Sequence, residues 1–305
     1  MIGPIATQGG GGQIVRYANT ASMKSQGQEL SIQTTNIKHR DFTWITNLIF
    51  SHVTTEVTSL MSQARTIDLI SGEASSGFTM KGYPHRAIFS MPFKGLTDKG
   101  IPTYLNEKNE LTSTDLDFQN RIDNSYLIYE GPTEPTITGS LGNELKWKNW
   151  RLNVFVTYSF GSYVRLDPVF SARYNDLTSM TKEFKNRWVQ AGDELTTNVP
   201  GILPYRSYAS NRRLRIAYNA YNYTSNRTAK GDFVRMKEIS LGYDLPKSLL
   251  QSTPFTTLSL KLQATNLFLI YADKKLNGQD PEFVNAGGVA APLPRQFTMT
   301  LKLGL

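Results

Sequence analysis

The sequence predicts an all-β protein of long antiparallel strands, and three observations carry that prediction. Polar and apolar residues alternate along several segments, a period of two that sets successive side chains on opposite faces of a strand. These segments exceed the mean soluble strand of about 5–6 residues and reach the roughly 9–11 that cross a tilted barrel wall. Short connections also alternate with long polar ones, as in transmembrane barrels, whose two rims differ in loop length.

Taken in order, a Gly-rich entry precedes QELSIQTTNI (28–37), which sets Leu30 and Ile32 opposite Ser31 and Gln33. A turn through Lys38, His39 and Arg40 leads to DFTWITNLIFSHV (41–53), where Phe42, Trp44, Leu48 and Phe50 share a face, so the two segments form a hairpin. After HRAIFSMPFKGL (85–96), the fragments PTYLN and SYLIYEG are too short to place, and 97–135 carries no strand assignment. In GSLGNELKWKNWRLNVFVTYSFG (139–161), Trp147 and Trp150 flank a Lys148-Asn149 turn. Beyond it Trp150, Leu152, Val154, Val156, Tyr158 and Phe160 face one way. Arg151, Asn153, Thr157 and Ser159 face the other, with Phe155 among them. Rings at both ends of an aliphatic run suit the two interfaces of a bilayer, although for any single such strand the wall of a soluble β-sandwich is the commoner case.

DFVRMKEISLGYDLP (232–246) is a less regular strand that groups Ile239, Leu241 and Tyr243. TTLSLKLQATNLFLIY (256–271) puts Leu258, Leu260, Leu262, Ala264 and Phe268 on one side, with Ser259, Lys261, Gln263 and Thr265 on the other. RQFTMTLKLGL (295–305) separates Phe297, Met299, Leu301, Leu303 and Leu305 from Thr298, Thr300, Lys302 and Gly304. The connections after Ile37, Trp147 and Pro246 are short or moderate; those after Val53, Phe160 and Tyr271 are long and polar.

Composition narrows the class. The 305 residues are 39% hydrophobic and 11% aromatic, and no stretch approaches the roughly 20 apolar residues of a membrane-spanning helix. A barrel is compatible with such polarity because half of each strand turns inward. There is no cysteine, hence no disulfide framework and no thiolate metal site. The net charge of +8 is scattered, its main cluster being Arg212, Arg213 and Arg215, and no nucleic-acid role is expected. The opening MIGPIATQGGGGQ has no basic or apolar signal-peptide pattern.

The inventory of catalytic patterns is empty: no G-x-S-x-G elbow, P-loop or H-E-x-x-H occurs. His39, His52 and His85 have no metal-ligand spacing, and the GGGG at 9–12 follows no strand. An enzyme is not expected, nor any cofactor or metal. Asp193-Glu194 and the pair Asp280 and Glu282 lie in loop-like sequence and read as solvated turns. The two N-glycosylation patterns, at Asn222 and Asn226, carry no weight. The loop 162–231 is rich in aromatics: Tyr163, Tyr174, Trp188, Tyr205, Tyr208, Tyr218, Tyr221 and Tyr223. Such rings suit stacking on sugars, contact with a protein lid, or packing among the loops themselves.

As an ordered set, several segments resemble the C-terminal barrel region of the SusC/RagA family of TonB-linked outer-membrane transporters. They are SQGQELSIQTTNIKHRDFTWITNLIFSH, GYPHRAIFSMPFKGLTDKGIP, GPTEPTITGSLGNELKWKNWRLNVFVTYSFGSYV, FKNRWVQAGDELTTNVP, DFVRMKEISLGYDLPKSLL, LQATNLFLIYADKKLNGQDPEF and PLPRQFTMTLKLGL, and they span nearly the whole chain. The resemblance implies a plugged barrel of about 22 strands, of which residues 1–305 supply roughly the last ten. The plug domain and the N-terminal barrel strands would lie outside this chain. It further implies uptake of oligosaccharides or peptides across the outer membrane, beneath a SusD-like surface lipoprotein and driven through TonB. Loops 162–231 and 272–294 would face that lipoprotein, with Trp188, Tyr205, Tyr208, Tyr218 and Tyr221 as contact candidates. Arg151, Asn153, Thr157, Lys261, Gln263, Thr298, Thr300 and Lys302 would face the lumen, and the opposite rows would meet outer-membrane lipid. Asp280, Pro281 and Glu282 match a family loop motif with a structural role. Leu305 departs from the terminal aromatic usual in such barrels. A soluble carbohydrate-binding sandwich is the competing reading, and a passive porin a third, set apart by the absence of a plug.

Overall fold

A computed structural model describes residues 2–6, 13–17, 21–72, 77–170, 179–284 and 293–305, with side chains from residue 21 onward. Tyr174, the GGGG at 9–12 and part of the loop 272–294 fall outside the described residues. In chain order the strands are β1 (Ile2–Ala6), β2 (Gln13–Tyr17), β3 (Ala21–Lys38), β4 (Phe42–Leu60), β5 (Ala87–Ser90), β6 (Phe93–Leu96), β7 (Pro102–Leu105) and β8 (Leu111–Thr112). They continue with β9 (Ile128–Pro132), β10 (Ile137–Trp147), β11 (Trp150–Phe160), β12 (Tyr163–Arg165), β13 (Thr228–Lys230), β14 (Phe233–Asp244), β15 (Thr257–Ala272) and β16 (Gln296–Gly304). Among the described residues four α-helices, α1 (Thr66–Ser71), α2 (Tyr205–Ser210), α3 (Arg212–Tyr221) and α4 (Lys247–Leu250), lie in the connections. None of the described helices is long and apolar enough to cross a membrane.

The chain divides into two compact units. The first, residues 27–53, 134–162 and 230–305, is built on a seven-stranded sheet in the order β16-β15-β14-β11-β10-β4-β3. Its neighbours follow one another along the chain and the pairings described between them are antiparallel. The meander sends every short connection to one end and every long one to the other. A sandwich would need a second large sheet, whereas the other sheets among the described residues have two or three strands. Seven strands form this sheet, and PTYLN and SYLIYEG lie outside it.

Register fixes which side chains share a face. Trp147 opposes Trp150 across the two-residue turn, where Lys148 adopts a positive φ of 51°. Leu152 pairs with Leu241 and Val154 with Ile239. Leu241 and Ile239 pair in turn with Leu262 and Ala264, which oppose Met299 and Phe297. One face therefore carries a continuous apolar band across four strands. The irregularity of β14 has a local cause: register shifts flank Lys237, against β11 between Phe155 and Val156 and against β15 between Met236 and Glu238. On β15 the compensating residue Asn266 takes φ 53°, a conformation that Asn tolerates better than most side chains. Such bulges increase twist and bend the sheet.

The second unit, residues 1–26, 54–133 and 163–229, is made mainly of the long connections. Its core gathers Leu69, Ile70, Ala87, Phe89, Met91, Tyr104, Leu116, Leu127, Ala217 and Ala220. β5 is buried at all four positions and pairs with β9; β6, β7 and β8 form a separate small sheet. PTYLN is thus β7 with its flanks, and SYLIYEG leads into β9. Both belong to a folded loop region rather than to crossings of the large sheet.

Candidate functional site

Two surfaces carry the polar chemistry, one in each unit. On the large sheet, Arg151 and Asn153 oppose Gly242 and Ser240, and these oppose Lys261 and Gln263. Lys261 and Gln263 then oppose Thr300 and Thr298, with Lys302 beside Ser259. Thr157 lies farther along the same face, opposite Arg235. All eight residues expected on the polar face are therefore on one face of one sheet.

That face is also tied together by carboxylates the sequence reading passed over. Glu238 accepts from Gln263 Nε2 at 3.0 Å and from Asn153 Nδ2 at 3.4 Å, with Lys261 Nζ 3.8 Å away. Arg151 reaches Asp244 at 3.1 Å, and Lys146 reaches Glu144 at 3.1 Å. Arg151, Asn153, Asp244, Lys261, Thr300 and Lys302 help to line a trough of about 350 Å³, a volume in the range of small-ligand pockets. Two acids, Glu144 and Asp244, and three bases, Arg151, Lys261 and Lys302, line it, so it presents hydrogen-bonding groups with a small positive excess.

Arg235 was another omission. Its guanidinium, 3% exposed, contacts Asp280 at 2.5 Å and Glu282 at 3.4 Å. Asp280 is fully buried and also accepts from the Glu282 N–H at 3.1 Å. The expectation of a solvated turn at Asp280 is corrected: a buried ion pair pins this loop to β14, in keeping with the structural role implied by the resemblance. No local pattern could reveal it, because partner and loop are far apart in sequence. Asp193 and Glu194 do form a turn. Asp193 accepts from the Val189 and Gln190 N–H groups at 3.0 Å, and Glu194 accepts from Gly192 N and Trp188 Nε1.

In the second unit the five aromatic candidates separate. Tyr218 and Tyr221 are each 2% exposed on the inward side of α3, and Tyr221 packs edge-on to Phe93 at 5.5 Å. Burial pushes the Tyr221 hydroxyl up to about 12. As they stand, neither ring presents a face to a partner. Trp188 lies against Gly100, which sits at φ 69° and where any Cβ would overlap the indole; its Nε1 donates to Glu194 at 3.0 Å. It is chiefly a packing residue. Tyr205 is 63% exposed, and Tyr208 lines an open groove with Phe118, Phe170, Arg212, Arg215 and Asn219. Asn222, the first glycosylation-pattern residue, is buried and accepts from the Val169 and Phe170 N–H groups.

Arg165 ties this unit together. Its guanidinium donates to Ser90 Oγ and to the carbonyls of Thr224, Ile70 and Phe89, at 2.6–3.3 Å. The enclosed charged head is costly, and burial pulls its pKa down to about 10. No group of three or more His, Cys, Asp or Glu side chains arranged to hold a metal occurs among the described residues.

No family model matches the chain. It is 27% identical over 281 residues to TonB-dependent receptor P3 of Formosa agariphila, covering 87% of this chain and 26% of that protein. TonB-dependent receptor P39 of the same organism is 24% identical, over 90% of this chain and 29% of its own length. Among solved structures, the RagAB peptide transporter superposes with a TM-score of 0.67 at 20% identity, covering 94% of this chain and 30% of that one. The RagAB peptide importer in its open-open state does so with the same TM-score at 19% identity, over 93% and 29%. The chain thus spans about a quarter of the curated relatives it matches. It is similar to TonB-dependent receptors over most of its length and shares the fold of the matching part of the RagAB transporter, in line with the resemblance of its ordered segments.

Proposed function

We propose that this chain is the C-terminal portion of the β-barrel of a TonB-dependent receptor in the bacterial outer membrane, and that the whole receptor imports large nutrients, oligosaccharides or peptides. The observation that carries the reading is the seven-stranded meander, with an apolar band on one face and a hydrogen-bonded polar lattice on the other. Alternation of this kind lets one face meet lipid while the other lines an aqueous lumen. The likeness to receptors and to a peptide transporter over most of the chain supports it.

In this reading Arg151, Asn153, Thr157, Lys261, Gln263, Thr298, Thr300 and Lys302 line the lumen wall. A plug and the leading strands belong to the rest of the receptor, which TonB drives. A SusD-like lipoprotein covers the long loops, where Tyr205 is the freest ring for contact. The protein moves cargo without a chemical step, so the lumen needs hydrogen-bonding capacity and not a nucleophile.

Fractionation of cells producing the full-length receptor tests this. The polypeptide is expected in the outer membrane, extractable only with detergent, and loss of its gene is expected to abolish growth on one polymeric nutrient. A full-length protein that stays soluble without detergent would contradict the barrel reading.

A further inference from the structure

We infer that the groove between α2 and α3 is a subsite for an acidic oligosaccharide, one whose sugar rings carry carboxylate or sulfate groups; this deepens the transporter reading and rests on it. The groove, about 430 Å³ in volume, is lined by Phe118, Phe170, Tyr208, Arg212, Arg215 and Asn219. Arg212, Arg213 and Arg215 all fall in the first turn or so of α3, which has no acidic residue in its first turn. Among the described residues, none of the three makes an ion pair.

This placement opposes ordinary helix electrostatics. The N-terminus of a helix carries partial positive charge and favours anions, yet here three guanidinium groups are added to it. Asn211 accepts from the Leu214 N–H at 3.1 Å, so the helix is capped, but a neutral amide leaves the positive field intact. An arriving anion would relieve the repulsion and gain charge-assisted, bidentate hydrogen bonds from arginine.

The rest of the lining selects what carries that anion. Arg215 lies 5.5 Å from the Tyr208 ring centre, which holds its planar head beside the groove. Tyr208 packs against Phe170 with ring centres 6.4 Å apart, and Phe118 adds a third aromatic wall. Flat apolar walls beside fixed cations match a pyranose ring, whose C–H face stacks while its acidic substituent turns towards arginine. The Asn219 amide can donate to and accept from hydroxyls. Extended peptides are commonly held by an unpaired strand edge. No strand contributes to this lining, and the α3 backbone is engaged within its own helix.

Calorimetric titration of the detergent-solubilised full-length receptor tests the assignment, with four probes: trigalacturonate, a sulfated galactan tetrasaccharide, neutral maltotriose and hexaglutamate. At least one acidic sugar is expected to bind ten-fold or more tightly than maltotriose and hexaglutamate. Which of the two binds identifies carboxylate or sulfate as the recognised group. Arg212→Gln with Arg215→Gln should weaken that binding at least ten-fold, and Tyr208→Ala several-fold, with unchanged circular dichroism. Arg213→Gln, outside the lining, should change it less than the double variant. Binding of neither acidic sugar, or no loss in the double variant, would overturn the proposal. Equal binding of hexaglutamate would overturn it in favour of an acidic peptide. Any of these failures would leave the transporter reading standing, because membrane fractionation tests that separately.

Discussion

Arg165 shows how a single side chain can hold a loop region in shape. Its four acceptors come from the C-terminal half of α1, from β5 and from the segment after α3. Removing the guanidinium would strand those groups, and a hydrogen bond to a charged partner is worth about 1.5–3 kcal/mol. Arg165→Met is therefore expected to destabilise the second unit by about 3 kcal/mol. Hydrogen exchange at residues 69–71, 89–90 and 224 should speed up together; unchanged protection there would contradict the role. Asp68 offers a test by pH. The Arg65 side chain bonds to its carboxylate at 2.6 and 2.9 Å, and this hydrogen bonding holds its pKa below the usual carboxylate value. Because the folded-state pKa is the lower one, the stabilisation is complete above about pH 4 and is lost as pH falls through the folded value. Exchange at the start of α1 should rise on acidification, and Asp68→Asn should flatten that dependence.

Strands were legible in proportion to how unequal their two faces are. β11 and β16 alternate cleanly because, Phe155 apart, each of their faces is of one character, and both were found close to their observed limits. β5 is buried at every position, so it offers no alternation, and at four residues it is too short for composition to declare it. β14 looked irregular because its register shifts against both of its neighbours. The polar row was readable residue by residue, whereas its carboxylate partners were not: Glu238, Asp244 and Asp280 acquire meaning only from strands brought alongside. Two substitutions on β11 distinguish its faces. Val154→Lys, near the middle of the apolar row, is expected to cost about 2–4 kcal/mol in bilayers if that row meets lipid. Thr157→Lys, on the polar row, should cost less than about 1 kcal/mol. Denaturant unfolding of the full-length receptor in lipid vesicles measures both, and equal costs would contradict the assignment of faces.

At the scale of the whole molecule, a meander whose order ends in β3 and β16 has two outer edges. Each presents unpaired N–H and C=O groups, which template association unless another strand covers them. The 305-residue chain produced alone in detergent is thus expected to elute from size exclusion as a mixture of oligomers. In the proposed receptor, the remaining strands should collapse that mixture to one species. A stable monomer of the isolated chain would mean that its edges are protected some other way. The two unlike faces of the large sheet were legible from alternation and loop rhythm. A folded second unit was not, because its core is assembled from short segments scattered through 54–133 and 163–229.

The pairing of β12 with β13 bears on how such a sheet assembles. These short strands follow β11 and precede β14 almost directly, and they are backed by hydrogen bonds from Gly231 N to Ser162 O at 2.9 Å and from Gly161 N to Asp232 at 2.6 Å. Bringing the ends of a loop as long as 166–227 together costs on the order of 4 kcal/mol of chain entropy. If the clasp closes first, β11 and β14 meet as near neighbours, and their pairing becomes a local event. The long loop would then act as a folding aid, shortening the search that a sheet of distant strands must otherwise make.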